Sequence, residues 1–294
     1  MNLCSKYGYE PSVAEIDSAI GMISQNVDEF LTEEVLMTCF SCMDLTSLHD
    51  DDTPEKITKF VGKLNALAEE YPDYPMPASV CVFSNLVPQV CAARPSAEVH
   101  ATVVSGCFPS AQSFIDVKTL ECRKAVEAGA DEVDVVLPLS SFAAGDYETA
   151  GFELRAMRAA IDEAAAGRKV IYKVILETGL LKDPALIAEA SFLAMECGAD
   201  FIKTSTGKVS VNATPMAAFI MCQCIKKFYE ATGRKVGFKP AGGMTTAQDA
   251  AVYYTIVSYV LGPEWLSKQY FRLGVSRMAG NLMSYIEKET VSIF

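Results

Sequence analysis

The sequence predicts an α/β protein, a (β/α)8 barrel with an additional helical segment ahead of its first strand. Three observations carry the prediction. Eight short runs of β-forming residues recur along the chain, at 43–48, 79–83, 99–105, 132–137, 170–176, 201–204, 236–239 and 270–273. Several are almost unbroken hydrophobic runs, as parallel strands covered on both faces are. Stretches of helical periodicity separate them, and eight such units in about 250 residues suit a closed barrel. A doubly wound open sheet is the alternative. No GxGxxG follows the first run, so a dinucleotide-binding version of that sheet has little to rest on.

Taken in order, residues 1–42 read as a helical extension packed on a single domain that spans 1–294. No linker or low-complexity tract divides the chain. After the first strand, helical patterns appear at 53–71, 113–128, 150–166, 183–197, 214–232 and 246–261. A short one at 86–93 stops before Pro95. One local repeat fixes a register. Gly129-Ala130-Asp131 leads into Glu132-Val133-Asp134, and Gly198-Ala199-Asp200 leads into Phe201-Ile202-Lys203. Each glycine suits a helix C-terminus. The matched offsets place Asp134 and Lys203 at corresponding points of the fourth and sixth strands, where they are expected to face one another inside the barrel.

Composition narrows the function. Half of the 294 residues are hydrophobic, and 37 acidic residues against 25 basic ones give a formal net charge of −12. That balance argues against nucleic acid as a partner. The longest apolar stretch, 250–262, is too short for a bilayer, and the first residues lack a basic-then-apolar leader. Ten cysteines scattered through apolar segments fit a reduced, cytoplasmic protein rather than a disulfide framework. With only His49 and His100 available, one chain cannot build a three-histidine metal site.

The informative residues are charges inside hydrophobic strands. Asp44, Asp134, Lys173, Lys203 and Lys239 each fall within or beside such a run. Burying them is costly unless they pair, so they are expected to form one network. Two amines in one desolvated site favour a neutral lysine, because burial and a neighbouring cation both lower its pKa. A neutral amine can attack a carbonyl, and a carboxylate such as Asp134 can move protons. Glycine-rich segments follow the last three strands: Thr206-Gly207-Lys208, Ala241-Gly242-Gly243, and Gly274-Val275-Ser276-Arg277. Loops at that end of a barrel bind phosphate through backbone N–H groups.

These stretches resemble the 2-deoxy-D-ribose 5-phosphate aldolase family. The resemblance is carried by Ala199–Lys208 and Val236–Gly243, with Met43-Asp44-Leu45-Thr46, Ala130–Val136 and Ile175-Leu176-Glu177-Thr178-Gly179. It runs from residue 43 to 276. It implies a class I aldolase that cleaves 2-deoxy-D-ribose 5-phosphate reversibly to D-glyceraldehyde 3-phosphate and acetaldehyde. It further implies no cofactor or metal, a covalent Schiff base on Lys203, Lys239 as the second lysine and Asp134 as the proton relay. Substrate contacts are then expected from Asp44, Thr46, Cys81, Lys173 and Thr206. Phosphate contacts are expected from Gly207, Lys208, Gly242, Gly243, Gly274 and Ser276. The chain departs from the pattern at Thr245, where the family carries an arginine, and at Arg277, where it carries a serine. Arg277 is therefore expected to take up the phosphate contact.

The competing readings are another Schiff-base aldolase or transaldolase and a non-catalytic phosphosugar-binding barrel. A homo-oligomer is compatible with the sequence. Cys39-x-x-Cys42 and Cys222-x-Cys224 read as packed helix residues, Asp50-Asp51-Asp52 as the cap of the helix at Thr53, and His100 as a residue in or beside the third strand.

Overall fold

The computed structural model describes residues 2–294. Eight parallel strands form the sheet: β1 (Met43–Thr46), β2 (Ser79–Phe83), β3 (His100–Ser105), β4 (Glu132–Val136), β5 (Ile171–Ile175), β6 (Phe201–Lys203), β7 (Gly237–Lys239) and β8 (Leu273–Val275). Their order is β7-β6-β5-β4-β3-β2-β1-β8, all paired in parallel. Bridges from Phe238 to Phe271 and from Ala241 to Gly274 join β7 to β8 and close the (β/α)8 barrel.

Alternation along the strands separates two environments. Val133, Val135, Val174, Ile202 and Phe238 join the large hydrophobic cluster shared with the surrounding helices. The residues between them point inward. Register sets Asp134 beside Lys173, Lys203 beside Lys239, and Phe201 beside Gly237. A Cβ on Gly237 would lie 2.3 Å from the Phe201 ring, so only glycine fits there. The two repeated glycines behave as their context demands: Gly129 and Gly198 adopt φ of 109° and 92° where a helix turns into a strand.

The strand predictions differ from the structure chiefly at the end. The eighth strand was expected at 270–273, yet it runs Leu273–Val275. Gly274 is the cause. Its missing side chain reads as a turn in sequence, but it lets the backbone approach Ala241, whose Cβ would otherwise be 2.8 Å from a Cβ on residue 274. The Asp50–Asp52 run does not cap the next helix. The Thr53 hydroxyl does so, accepting from the Lys56 N–H, while Asp52 accepts from the Ser47 hydroxyl and the His49 N–H.

Ahead of β1, three helices lie on the outer ring. In Leu3–Lys6 the first N–H groups, of Leu3 and Cys4, donate to the Glu189 carboxylate at 3.0 and 2.9 Å. Tyr7 then stacks on Phe192. Val13–Asn26 packs on the helix Pro215–Thr232, and Glu33–Ser41 packs on Ala247–Leu261 and Met278–Glu287. At the other end of the chain Phe294 rests beside Phe40 and Gly280, outside the barrel. Among the described residues, no helix is long and apolar enough to cross a membrane.

Candidate active site

Three lysines project into the barrel from β5, β6 and β7, and Asp134 on β4 binds them all. Its Oδ1 accepts from Lys173 Nζ at 2.7 Å, and its Oδ2 accepts from Lys203 Nζ at 2.9 Å and from Lys239 Nζ at 2.8 Å. Below this carboxylate the layer continues. Asp44 meets Lys239 at 2.6 Å and Arg272 at 2.6 Å, and Glu132 meets Lys173 and, at 2.7 Å, Arg272. Asp44, Glu132, Asp134, Lys173 and Lys239 are fully buried. The expected network of five charges exists and is larger by two. Glu132 and Arg272 were missed as members. Glu132 is two residues from Asp134 and shares its face of the strand. Arg272 stands between Phe271 and Leu273, the same signature of a charge inside a hydrophobic run.

Lys203 alone of the three lysines opens onto a cavity of about 310 Å³ at the C-terminal ends of the strands. It is 3% exposed. Thr46, Leu48, His49, Thr206, Gly207 and Lys208 line that cavity from the loops after β1 and β6. Ala241, Gly242, Gly243, Met244, Thr245, Gly274, Val275, Ser276 and Arg277 complete the lining from the ends of β7 and β8. Every glycine and loop residue expected to hold phosphate therefore lines this one cavity. Arg277 faces the same space as Thr245, and its guanidinium has no ion-pair partner among the described residues. The Lys208 ammonium donates to the Leu48 carbonyl at 2.6 Å, which ties the loops after β1 and β6 together across the mouth.

The substrate-contact set divides. Thr46 and Thr206 line the cavity, while Asp44, Lys173 and Cys81 lie beneath it, out of its wall. Lys173 is occupied by carboxylates, and Cys81 packs with Leu48 and Val104. Burial raises the Cys81 thiol above its ordinary pKa despite the nearby lysines, so the thiol stays protonated. Thr206 is held from behind. The buried Glu177 carboxylate, on a residue with φ of 55°, accepts from the Thr206 N–H at 3.1 Å and from its hydroxyl at 2.5 Å. At the far end of the barrel, His100 meets Glu132 at 2.6 Å.

Electrostatics distinguishes the two upper amines. Burial lowers the Lys203 pKa, and the charge of Lys239 lowers it further. Asp134 offsets only part of this, so the net direction is down. Burial acts the same way on Lys239, but Asp134 and Asp44 outweigh it and hold that ammonium protonated. For Asp134 burial opposes ionisation, and the ammonium groups of Lys173, Lys239 and Lys203 overcome it, keeping the carboxylate ionised. The layer thus sets an amine with a lowered pKa at the cavity floor beside a fixed positive charge. Among the described residues no group of three metal-ligating side chains is free to bind an ion.

A sequence profile described as DeoC/LacD family aldolase matches residues 38–256. The chain belongs to the DeoC/LacD aldolase family. The match takes in β1 to β7 and every buried ionic residue except Arg272. Solved structures similar to this family member share its fold. A Toxoplasma gondii ME49 protein provisionally named a deoxyribose-phosphate aldolase is 21% identical, with a TM-score of 0.72 over 88% of this chain and 96% of its own. A Coccidioides immitis protein provisionally given the same name is 24% identical, with a TM-score of 0.68 over 94% and 98%. Deoxyribose phosphate aldolase from Aeropyrum pernix, described as tetrameric, is 24% identical, with a TM-score of 0.67 over 95% and 100%.

Proposed function

We propose that this aldolase acts through a Schiff base on Lys203 and cleaves 2-deoxy-D-ribose 5-phosphate reversibly to D-glyceraldehyde 3-phosphate and acetaldehyde. The observation that carries the reading is that one lysine with a lowered pKa opens onto the cavity while its fully charged neighbour lies beneath it. The neutral Lys203 amine adds to the aldehyde carbon of the open-chain sugar, and loss of water leaves an iminium. Deprotonation of the C3 hydroxyl then breaks the C2–C3 bond. Its electron pair passes into the iminium, giving an enamine and releasing glyceraldehyde 3-phosphate. Protonation of the enamine carbon and hydrolysis return Lys203 and free acetaldehyde.

Asp134, which accepts a hydrogen bond from Lys203, is the carboxylate that relays protons to and from the substrate through a water, while Lys239 keeps its charge. The phosphate sits among the loops after β6, β7 and β8, where Gly207, Gly242, Gly243, Gly274 and Ser276 present backbone and Arg277 and Lys208 supply charge. The helix Met278–Glu287 has no side-chain cap at its start, which leaves its first N–H groups available to an anion. No cofactor or metal enters this scheme: the buried carboxylates are already paired with lysines and Arg272, and turnover in the presence of a chelator tests the point.

The deciding experiment is a coupled assay that detects glyceraldehyde 3-phosphate from 2-deoxy-D-ribose 5-phosphate, run beside fructose 1,6-bisphosphate. Turnover of the first alone supports the reading. Turnover of the second alone assigns the site to a different aldol substrate. The ten unpaired cysteines suit a cytoplasmic setting. Self-association is also part of the proposal. Phe114, Val117 and Leu120 are exposed on and beside the helix Ile115–Glu127, with Asp116 and Lys124 flanking them. Antiparallel pairing with a second copy would set each Asp116 beside a Lys124. Sedimentation of the native protein against Leu120→Glu reads it out.

A further inference from the structure

Which barrel lysine is neutral is a question of charge count across the whole buried layer. Asp44, Glu132 and Asp134 supply three carboxylates, and Lys173, Lys203, Lys239 and Arg272 supply four basic groups. Arg272 is committed to Asp44 Oδ1 at 2.6 Å and to Glu132 Oε1 at 2.7 Å. Lys173 bridges Glu132 and Asp134, and Lys239 bridges Asp44 and Asp134. Three cations thus complete three carboxylates, each cation touching at least two of them, with Lys173 also 3.8 Å from Asp44. Lys203 contacts only Asp134 Oδ2, which already accepts from Lys239. A proton on Lys203 would be a fourth, unmatched positive charge in a low-dielectric layer, and such a charge is costly.

The remaining groups facing the layer come from β2 and β3. From β2 come the protonated Cys81 thiol and the Ser79 hydroxyl. From β3 come Thr102, which donates to Glu132 at 3.0 Å, and His100, whose half-exposed ring meets Glu132 from the solvent end. The Arg272 guanidinium lies over the Phe201 ring at 5.6 Å, which fixes its plane in the floor of the barrel.

We propose that Arg272 and Glu132, neither of which reaches the cavity, are positioning residues that set the charge balance by which Lys203, rather than Lys173 or Lys239, is the neutral amine. The inference rests on the Schiff-base reading of Lys203. Removing the charge of Arg272 leaves three carboxylates facing two committed cations, so Lys203 keeps its proton to complete the set. Removing the charge of Glu132 has the opposite effect, because the surplus of positive charge grows and Lys203 sheds its proton more readily. A residue that served only to hold the barrel together would weaken folding in both cases, with no reason to act in opposite directions on one titration.

The experiment follows imine formation between the full-length protein and acetaldehyde as a function of pH. The adduct is fixed with borohydride and counted by intact mass. Wild type is compared with Arg272→Met, Arg272→Lys, Glu132→Gln and the double variant Arg272→Met/Glu132→Gln. The expected result is that Arg272→Met moves the midpoint up by about one pH unit, close to a tenfold loss of rate at a fixed pH below it. Glu132→Gln moves it down, the double variant returns it toward wild type, and Arg272→Lys leaves it in place. Should Arg272→Met fail to fold, the opposed expectations for Glu132→Gln and Arg272→Lys still decide the matter. Midpoints that stay together, or that all move the same way, overturn the proposal. Wild type that forms no adduct at Lys203 overturns the Schiff-base reading and this proposal with it, whereas a wild-type adduct with unmoved midpoints overturns this proposal alone.

Discussion

Replacing Lys239 by methionine removes a buried positive charge while nearly keeping the length of the side chain. The Lys203 and Lys239 nitrogens both contact Asp134 Oδ2, at 2.9 and 2.8 Å. Two atoms so placed lie about 5 Å apart, where unit charges repel by about 3 kcal/mol at an effective dielectric near 20. That energy corresponds to roughly two pH units in the titration of Lys203. The sign follows directly. With Lys239 charged, the proton on Lys203 is disfavoured and its pKa is lowered. Without Lys239 the pKa rises, and the neutral amine appears only at higher pH. The pH at which imine formation with acetaldehyde is half-maximal should therefore move up by about two units, and the rate at neutral pH should fall about 100-fold. Asp44 keeps Arg272 and Asp134 keeps Lys173, so the variant is expected to fold with reduced stability. A folded Lys239→Met protein whose midpoint is unchanged, or lies lower, would refute the electrostatic role given to Lys239.

Three further outcomes are expected. Arg277→Ala should reduce kcat/KM for deoxyribose 5-phosphate by about 10- to 100-fold and barely change it for unphosphorylated deoxyribose; an unchanged ratio of the two would leave the phosphate to Lys208 and the glycine backbone. Gly237→Ala forces a Cβ into the Phe201 ring and should destabilise the fold by about 1–3 kcal/mol in urea unfolding, and a neutral result would mean the ring has room to move. Acid unfolding checks the buried layer as a whole. For Asp44, Glu132 and Asp134 burial opposes ionisation, but the surrounding cations prevail and lower each pKa. Their contribution to stability is present above the ordinary carboxylate range and is lost as pH falls below it, so the urea midpoint should hold from pH 6 to 5 and drop below about pH 4. A midpoint insensitive to that range would show the layer to be less tightly coupled to folding.

Much of the barrel is legible in sequence because strands covered on both faces must be hydrophobic, so each exception is visible. Lys173, Lys203, Lys239 and Asp134 stand out for that reason, and the structure brings them to one point. Arg272 lies within the expected run 270–273 and carries the same signal between Phe271 and Leu273, yet it stands one residue ahead of β8, and only barrel closure turns it into the buried layer. Glu132 escaped because it opens β4, where a charge is ordinarily at the solvent edge. Depth along a strand is the quantity that sequence lacks. Asp44, Lys173 and Cys81 share the inward face with Lys203, yet they lie below the cavity rather than in its wall. The loop glycines carry a weaker signal individually, and only the closure of β7 onto β8 sets Gly207, Gly242, Gly243 and Gly274 around one space.

The central claim is that one particular amine, opening onto the cavity floor and kept neutral by its buried neighbours, carries the chemistry. It is tested most directly by incubating the protein with acetaldehyde, reducing with borohydride, digesting, and locating the added two-carbon group by mass spectrometry. The account predicts one ethyl group per chain, on the peptide containing Lys203, and none in Lys203→Ala. Modification centred on Lys173, Lys239 or Lys208, or an equal yield from Lys203→Ala, would contradict it.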